Sequence, residues 1–580
     1  MKNTYPSAKI LSFLAFFMLF FQGYKVIGQR ASVPLNDDYY YLIQRFEGLS
    51  GKQNPQLHTT VLPYRRDLLV PFLQSLDQRA FSRVDQFNYQ YLLNDSWEAS
   101  SDSTTGNSQK TIWNTFFKKQ SDFLMVNTPR FDVHVNPVIY FAGGVERKGQ
   151  VAEGGSNSQT LFQNTRGVEV RGQIGQKVGF YSFLGTTQAV FPSYVQNQFG
   201  KYRSLPGEGY VKDFKENGFD YFTSRGYFTF DFIPEINVRA GYDQVKVGEG
   251  LRSMILSNNA NSYLFAQLTT QVWKLQYTSI YAQMAALPSD QYLGSETYSK
   301  GFGFHRLGLN IGKKANIGLF ETVNFGGYDS LAHRPLPMPL TFYNPIIFFR
   351  GMELESGSYF GKMQIGLDWK WYLTPGLKWY GQFVLDEFNL NMLKENDGWW
   401  AMKFAVQSGL AWYNVGGVNN LDLQIEGNLA RPYTYNHKSP YSAMTHYGAS
   451  LAHPLGSNFY ELLAVVRAQP FPRLSLVFQG QYAIYGQDYL KEDGTETNFG
   501  SDPMKDYDTR ESDTGNYIGQ GNTTRQLMAD MRASYQLKHN LFIDGRLLMR
   551  QVQPEMTTAY TDITTTMSLR WNIGYRSDFY

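Results

Sequence analysis

Thr566-Met-Ser-Leu-Arg-Trp-Asn-Ile-Gly-Tyr575 decides the fold of this chain. Met567, Leu569, Trp571, Ile573 and Tyr575 alternate with Thr566, Ser568, Arg570, Asn572 and Gly574. A period of two is that of an extended strand, whose successive side chains point to opposite faces. One face suits lipid and the other suits water. Met363, Ile365, Leu367, Trp369 and Trp371 alternate in the same way with Gln364, Gly366, Asp368 and Lys370. So do Leu421, Leu423 and Ile425 with Asp422, Gln424 and Glu426, and Leu527, Ala529, Met531, Ala533 and Tyr535 with Asp530, Arg532 and Ser534. A soluble sandwich alternates too, but its inner face is rarely so rich in Trp and Tyr over so many strands.

Working outward, the connections set direction and number. Short turns fall near Gly175-Gln176-Lys177, Pro234-Glu235, Lys313-Lys314, Thr374-Pro375-Gly376, Gly416-Gly417, Phe471-Pro472-Arg473 and Lys538-His539-Asn540. Tyr263–Met284 is too long for one strand, so an eighth is placed at Gln271–Trp273. Long loops near 143–164, 191–218, 248–262, 287–298, 326–358, 387–399, 430–457, 487–523 and 552–562 alternate with them. Membrane barrels use short periplasmic turns and long external loops. The expectation is an all-β transmembrane barrel of about 18 antiparallel strands over 129–580, with both ends periplasmic. The chain of 580 residues has 53 Gly, 16% aromatic residues, no Cys and a net charge of +3. Absent cysteine excludes disulfides, thiolate catalysis and Cys-based zinc sites. The charge gives no case for nucleic acid.

The amino-terminal part reads differently. Lys2 and Lys9 precede the apolar Ile10–Phe21, short of the ~20 residues a spanning helix needs. Residues 1–29 are expected to be a signal peptide, sending the chain to the outer membrane of a Gram-negative cell. Residues 30–128 are expected to form an α-helical periplasmic or plug region. Its helices are placed after a cap at Asn36, over Arg65–Leu76 with a kink at Pro71, and over Ser82–Trp97, before a polar linker at Glu98–Ser108. The terminal Phe579-Tyr580 on an alternating strand is the kind of ending that barrel-assembly machinery reads.

Several loop-edge motifs resemble one family. Gly248-Glu-Gly250-Leu-Arg-Ser-Met-Ile-Leu-Ser257-Asn258-Asn259-Ala260 is similar to a segment of the Wzi capsule-assembly family of outer-membrane proteins, as are Asp386-Glu387 closing a strand and the stretch from Glu426 to Tyr435. Leu451–Phe459 resembles its RemB-like branch in gliding bacteria. The resemblance implies an eighteen-stranded outer-membrane barrel that holds capsular or exported polysaccharide as a lectin, with no catalysis. The branch would add a role in gliding motility. A protein partner in motility or secretion machinery, and a diffusion porin, are the alternatives.

Candidate chemistry lies in the loops and the lumen. Arg431, Tyr433, Tyr435, His437 and His446 combine aromatic faces with polar groups, which suits sugar rings; the other reading is a loop packed on itself. With His453, the loop's histidines lack an i, i+4 or H-x-H spacing, so no metal is assigned. The acidic 487–523 reads as a solvated loop rather than a calcium site. Asp386 and Glu387 are strand neighbours and point to opposite faces unless a bulge intervenes. Gly248–Asn261 is either a constriction folded into the lumen or an ordinary external turn. Arg532, Arg546, Arg550, Arg570 and Arg576 face inward, either attracting an acidic polymer or paired with Asp530 and Asp544. No G-x-S-x-G and no H-x-S pair is present, so no enzyme and no cofactor is expected.

Overall fold

The computed structural model describes residues 30–578 apart from 56, 110, 129, 151–155, 176, 203, 287–297, 330–333, 350–360, 389 and 396. The segment read as a signal peptide and the final Phe579-Tyr580 lie outside the described residues.

Eighteen antiparallel strands close on themselves. They are β1 Phe131–Arg147, β2 Ser158–Ile174, β3 Val178–Val190, β4 Gly218–Ile233, β5 Ile236–Asp243 and β6 Tyr263–Val272. Then come β7 Leu275–Ala286, β8 Tyr298–Ile311, β9 Ala315–Phe325, β10 Gly361–Thr374, β11 Leu377–Glu387 and β12 Lys403–Trp412. The last are β13 Leu421–Ala430, β14 Phe459–Phe471, β15 Leu474–Gln487, β16 Asn522–Lys538, β17 Leu541–Pro554 and β18 Tyr560–Trp571. Each strand pairs with the next, and β18 pairs with β1 from Ile563↔Arg147 to Trp571↔Ile139. The turn inferred from strand length alone is real, at Trp273–Lys274.

The parity holds along the wall. Met567 is 66% exposed on the outer face, whereas its neighbour Ser568 and then Arg570 are buried on the inner one. Leu264, Leu319, Leu410, Leu462 and Leu547 stand outward on other strands. Trp273, Trp371, Trp412, Phe471 and Tyr535 stand outward near the short turns. An apolar outer belt edged by aromatics is the surface of a membrane-spanning barrel, because rings with one polar end settle at the lipid–water boundary.

Two boundaries differ from the sequence expectation. β1 and β2 each run 17 residues, so their loop is shorter than 143–164. Strand β18 stops at Trp571, and residues 572–578 turn into the lumen instead of extending it. The missing length beside β1 is supplied by Leu124–Thr128, which pairs antiparallel with Phe131–Val135.

Before the barrel lie helices α1 Asp37–Ser50, α2 Arg66–Gln74 and α3 Arg83–Asp95. Asn36 caps α1 by accepting from the Asp38 N–H, and Ser82 and Asp85 form a capping box on α3. Pro71 sits inside α2 without ending it. Tyr39, Ile43 and Phe46 of α1 pack with Leu69, Val70, Leu73, Tyr89 and Leu92 in one core. α1 ends at Gly51, in left-handed backbone at φ 62°, where a Cβ would meet the Pro375 Cα at 2.8 Å. This unit sits at the short-turn end of the barrel. The Gly376 N–H donates to the Gly48 carbonyl at 2.9 Å, the Gln53 N–H to the Lys313 carbonyl at 2.8 Å, and the Tyr91 hydroxyl to Asn540 at 2.5 Å.

Candidate functional site

Two regions concentrate buried charge and ordered aromatics: the lumen and the outer loops. The lumen is filled from both sides. After β5, residues 244–262 fold inward rather than forming an external turn. Val247 pairs with Val61 and Lys246 with Leu62, joining this segment to the helical unit. The Met254 N–H donates to Gln382 at 2.8 Å, and the Leu251 N–H to Glu426 at 2.7 Å. Gly248 has φ 126°, and a Cβ there would lie 2.4 Å from Gln382 Nε2; one on Gly250 would lie 2.6 Å from Glu426. The family-like positions Gly248, Gly250 and Glu426 thus meet at one place. The Ser257 hydroxyl donates to the Leu451 carbonyl at 3.1 Å, the Asn259 amide donates to the Ser450 carbonyl at 3.1 Å, and the Asn258 carbonyl accepts from Gln244.

At the centre is a neutral quartet of charges. Glu249 pairs with Lys378 at 3.0 Å and Lys370 at 3.3 Å, and accepts from the Thr59 hydroxyl at 2.8 Å. Lys370 reaches Glu47 of α1 at 3.1 Å, and Glu47 also accepts from the Tyr372 hydroxyl at 2.5 Å. Burial alone would raise the Glu249 carboxyl, but Lys370 and Lys378 outweigh it and hold it well below the usual carboxylate range. Nearby, Arg45 joins Asp422 at 2.8 Å and also Asp85, so α1 and α3 are tied to the wall of β13.

The five arginines singled out in the sequence are each ion-paired. Arg546 meets Asp530 at 2.8 Å and Asp578 at 2.5 Å; Arg570 meets Asp544 at 2.9 Å; Arg532 meets Asp38 at 2.5 Å; Arg550 meets Asp562 at 3.5 Å. Arg576 lies off the strand, on the inward tail, where it pairs with Glu208 at 3.2 Å. These five therefore do not form a free wall of positive charge for an acidic polymer.

The outer loops correct the sugar-contact expectation in part. Tyr433 and Tyr435 are each 0% exposed, and their hydroxyls donate to the carbonyls of Asn498 and Met254. His446 is also buried, accepting from the Ala285 N–H at 2.9 Å and bonding the Ser262 carbonyl at 3.1 Å. These three rings pack the loop on itself and offer no face to a ligand. Arg431 and His437 remain half-buried. Burial, with Lys362, Lys403 and Lys438 around it, pushes His437 down to about 3, so the ring is neutral. His453 is committed to Glu461 at 2.8 Å.

A different group gathers beside His437. The Trp400 ring lies 4.9 Å from Tyr507 and 6.1 Å from Tyr433. Lys403 Nζ stands 4.4 Å over Trp400 and 4.2 Å over Tyr507, and the Arg510 guanidinium is 4.2 Å from the Trp400 ring. Lys403 also pairs with Glu387 at 2.9 Å, and Lys362 with Asp386 at 2.6 Å. A bulge between Leu385 and Glu387 turns Asp386 inward and leaves Glu387 partly exposed. Both carboxylates are held by lysines and form no acid/base pair. Sequence reasoning does not bring Trp400 and Tyr507 together, because they lie far apart in the chain; the Trp399-Trp400 doublet at a strand mouth is the signal. Within 487–523, Lys505 pairs with Asp488 and Glu496, and Arg510 with Asp508 and Asp513, so these four carboxylates are matched within the loop itself.

No family model and no curated protein matches the chain. Among solved structures it is similar to Wzi of Escherichia coli, an outer-membrane protein involved in group 1 capsule assembly and described as a carbohydrate-binding β-barrel. The TM-score is 0.55 at 11% identity, over 94% of this chain and 100% of that one. The porin OprD of Pseudomonas aeruginosa aligns at TM-score 0.39 and 11% identity, over 76% and 94%. A BenF-like porin of Pseudomonas fluorescens aligns at 0.41 and 8%, over 76% and 99%. The likeness to Wzi is one of fold, that of an outer-membrane barrel, and the porin scores support nothing finer.

Proposed function

We propose that this chain is an outer-membrane barrel that binds capsular or exported polysaccharide at the cell surface, without catalysis. The observation that carries the reading is the filled lumen. Residues 244–262, α1 and the tail 572–578 are each tied to the wall by buried ion pairs, which disfavours a diffusion porin. Binding then falls to the outer loops. There Trp400, Tyr507 and His437, edged by Lys403, Arg510 and Arg431, combine aromatic faces with cations. Sugar rings stack their apolar face on such rings and hydrogen-bond at their edges. The described carbohydrate binding of Wzi, on a similar fold, supports the same reading.

The test uses the purified, detergent-solubilised protein and the host's own extracted capsule or exopolysaccharide. Saturable binding that Trp400→Ala or Tyr507→Ala weakens at least about tenfold is expected, about 1.4 kcal/mol. A folded, heat-modifiable barrel that binds none of the glycan refutes the reading. A large conductance in planar bilayers would restore the porin.

A further inference from the structure

A second polar chamber lies at the opposite end of the molecule. It occupies about 650 Å³ between residues 55–71 of the helical unit and the lumen wall of β4 to β7. That volume is within the roughly 300–1,000 Å³ of small-ligand sites. Its two sides differ in chemistry. The helical unit contributes apolar surface from Leu57, Val61, Pro63, Leu68 and Pro71. The wall contributes amides and hydroxyls on adjacent strands: Asn237 on β5, Gln267, Thr269 and Gln271 on β6, and Gln276 and Thr278 on β7. The register sets them side by side, with Asn237 opposite Thr269, Thr269 opposite Thr278, and Gln271 opposite Gln276. The exposed Trp273 stands at the rim, on the short turn between β6 and β7.

The lining is under-satisfied in one place. Gln267 Oε1, Gln276 Oε1, His58 Nε2, and Nε and Nη1 of Arg239 are buried with no hydrogen-bond partner. A buried polar group of this kind is unfavourable unless something meets it. These five atoms, on four side chains, are gathered in one chamber. The formal charges nearby are largely matched: Arg65 pairs with Asp67 and Asp231, and Arg239 with Asp243. The guanidinium of Arg239 is also stacked 4.2 Å from the Tyr227 ring and 4.8 Å from Phe265.

We propose that this chamber binds a short uncharged saccharide from the short-turn side of the membrane, its ring faces against Leu57, Val61 and Pro63 and its hydroxyls on Gln267, Gln276, His58 and Arg239. Sugars are themselves two-faced, with C–H faces and hydroxyl edges, and match a chamber apolar on one side and amide-lined on the other. Arg65 and Arg239 are matched by Asp67, Asp231 and Asp243, and Glu235 adds a further negative charge to the lining, so the chamber favours a neutral ligand over an anion. The site is independent of the surface cluster at Trp400.

Isothermal titration with maltotriose, cellotriose, chitotriose and trigalacturonate tests this. At least one neutral trisaccharide is expected to bind saturably, and Gln267→Ala with Gln276→Ala to weaken it at least tenfold while Trp400→Ala leaves it unchanged. Hydrogen exchange on the unmodified protein provides a second readout that needs no variant: the ligand slows exchange in 57–64 and 264–278, not in 397–402 or 505–512. No binding by any neutral trisaccharide, tighter binding of trigalacturonate, or protection confined to the outer loops overturns the proposal. Capsule binding that survives Gln267→Ala with Gln276→Ala leaves the surface reading standing in every case.

Discussion

Glu249→Gln should release the inward segment from the lumen wall. The Glu249 and Lys378 side chains are 2% and 1% exposed, and Glu249 is the carboxylate that Lys378 reaches, at 3.0 Å. The substitution keeps the volume and the Thr59 contact, but leaves two lysines to share Glu47. Removing one partner of a buried pair costs about 3–5 kcal/mol, because the other charge stays buried and unmatched. At about 1.4 kcal/mol per tenfold, local opening becomes more frequent by a factor of roughly 100 or more. The readout is amide exchange at Val247 and Gly248, whose N–H groups donate to the Leu256 and Thr60 carbonyls at 2.9 and 2.8 Å. The double variant Glu249→Leu, Lys378→Met removes both charges and leaves the Glu47–Lys370 pair intact. It should recover most of the loss, since an apolar pair of similar volume is often as stable as a buried ion pair. Exchange within threefold of the parent in Glu249→Gln, or a double variant that simply sums the two single losses, would refute the argument that charge matching holds this segment.

Acid should loosen the outer loops through His446. Its Nδ1 accepts from the Ala285 N–H, and burial, aided by the Lys300 charge, pushes its pKa down to about 3. The folded value lies below the unfolded value of about 6.5, so the contribution is complete above that pH and is lost as pH falls toward 3. Proteolysis of 435–450 should therefore quicken between pH 6.5 and 4.5, and His446→Gln should flatten the trend; equal rates at both pH values would contradict it. Asp422→Ala strips Arg45 of one of two carboxylates and should cost about 3 kcal/mol, read as protease sensitivity of 30–95. Gly248→Ala imposes a Cβ both on left-handed backbone and on Gln382, and should destabilise the inward segment by about 1–3 kcal/mol, measured by the same Val247 exchange.

The wall was legible because its rule is local. A side-chain period of two, read over ten residues such as Thr566–Tyr575, already sorts lipid-facing Met567 and Leu569 from lumen-facing Ser568 and Arg570. Turn and loop lengths then fixed the strand count without a single long-range contact. The cap at Asn36 was equally local, and the helix read from Ser82 starts there, with Ser82 as its cap. What stayed hidden depends on distance in space. Tyr433, Tyr435 and His446 have the right chemistry for a sugar site, and only their partners at Asn498, Met254, Ala285 and Ser262, many tens of residues away for most, show that they are core. Gly248–Asn261 could fold either way on sequence, and its choice is set by Gln382 and Glu426 across the lumen.

The end of the last strand shows how one local rule can overrun. Ile573 and Tyr575 continue the alternation of β18, yet the strand stops at Trp571, whose partner is Ile139, eight residues into β1. Below that point the edge of β1 is not free: Leu124–Thr128, close by in the chain, already occupies it. Alternation states which face a side chain would take in a strand. It does not state whether an edge is available, and two segments cannot pair with the same backbone groups. The local segment closes only a short loop before pairing and so loses little chain entropy in reaching β1. The distal one is displaced into the lumen, where Tyr575 lies 4.1 Å from the Arg532 guanidinium and Asp578 meets Arg546. The residues that would have extended a strand thereby become part of the filling that closes the barrel. The inward arginines of β16 and β17 consequently find partners on the tail, beyond Asp530 and Asp544 on the wall itself.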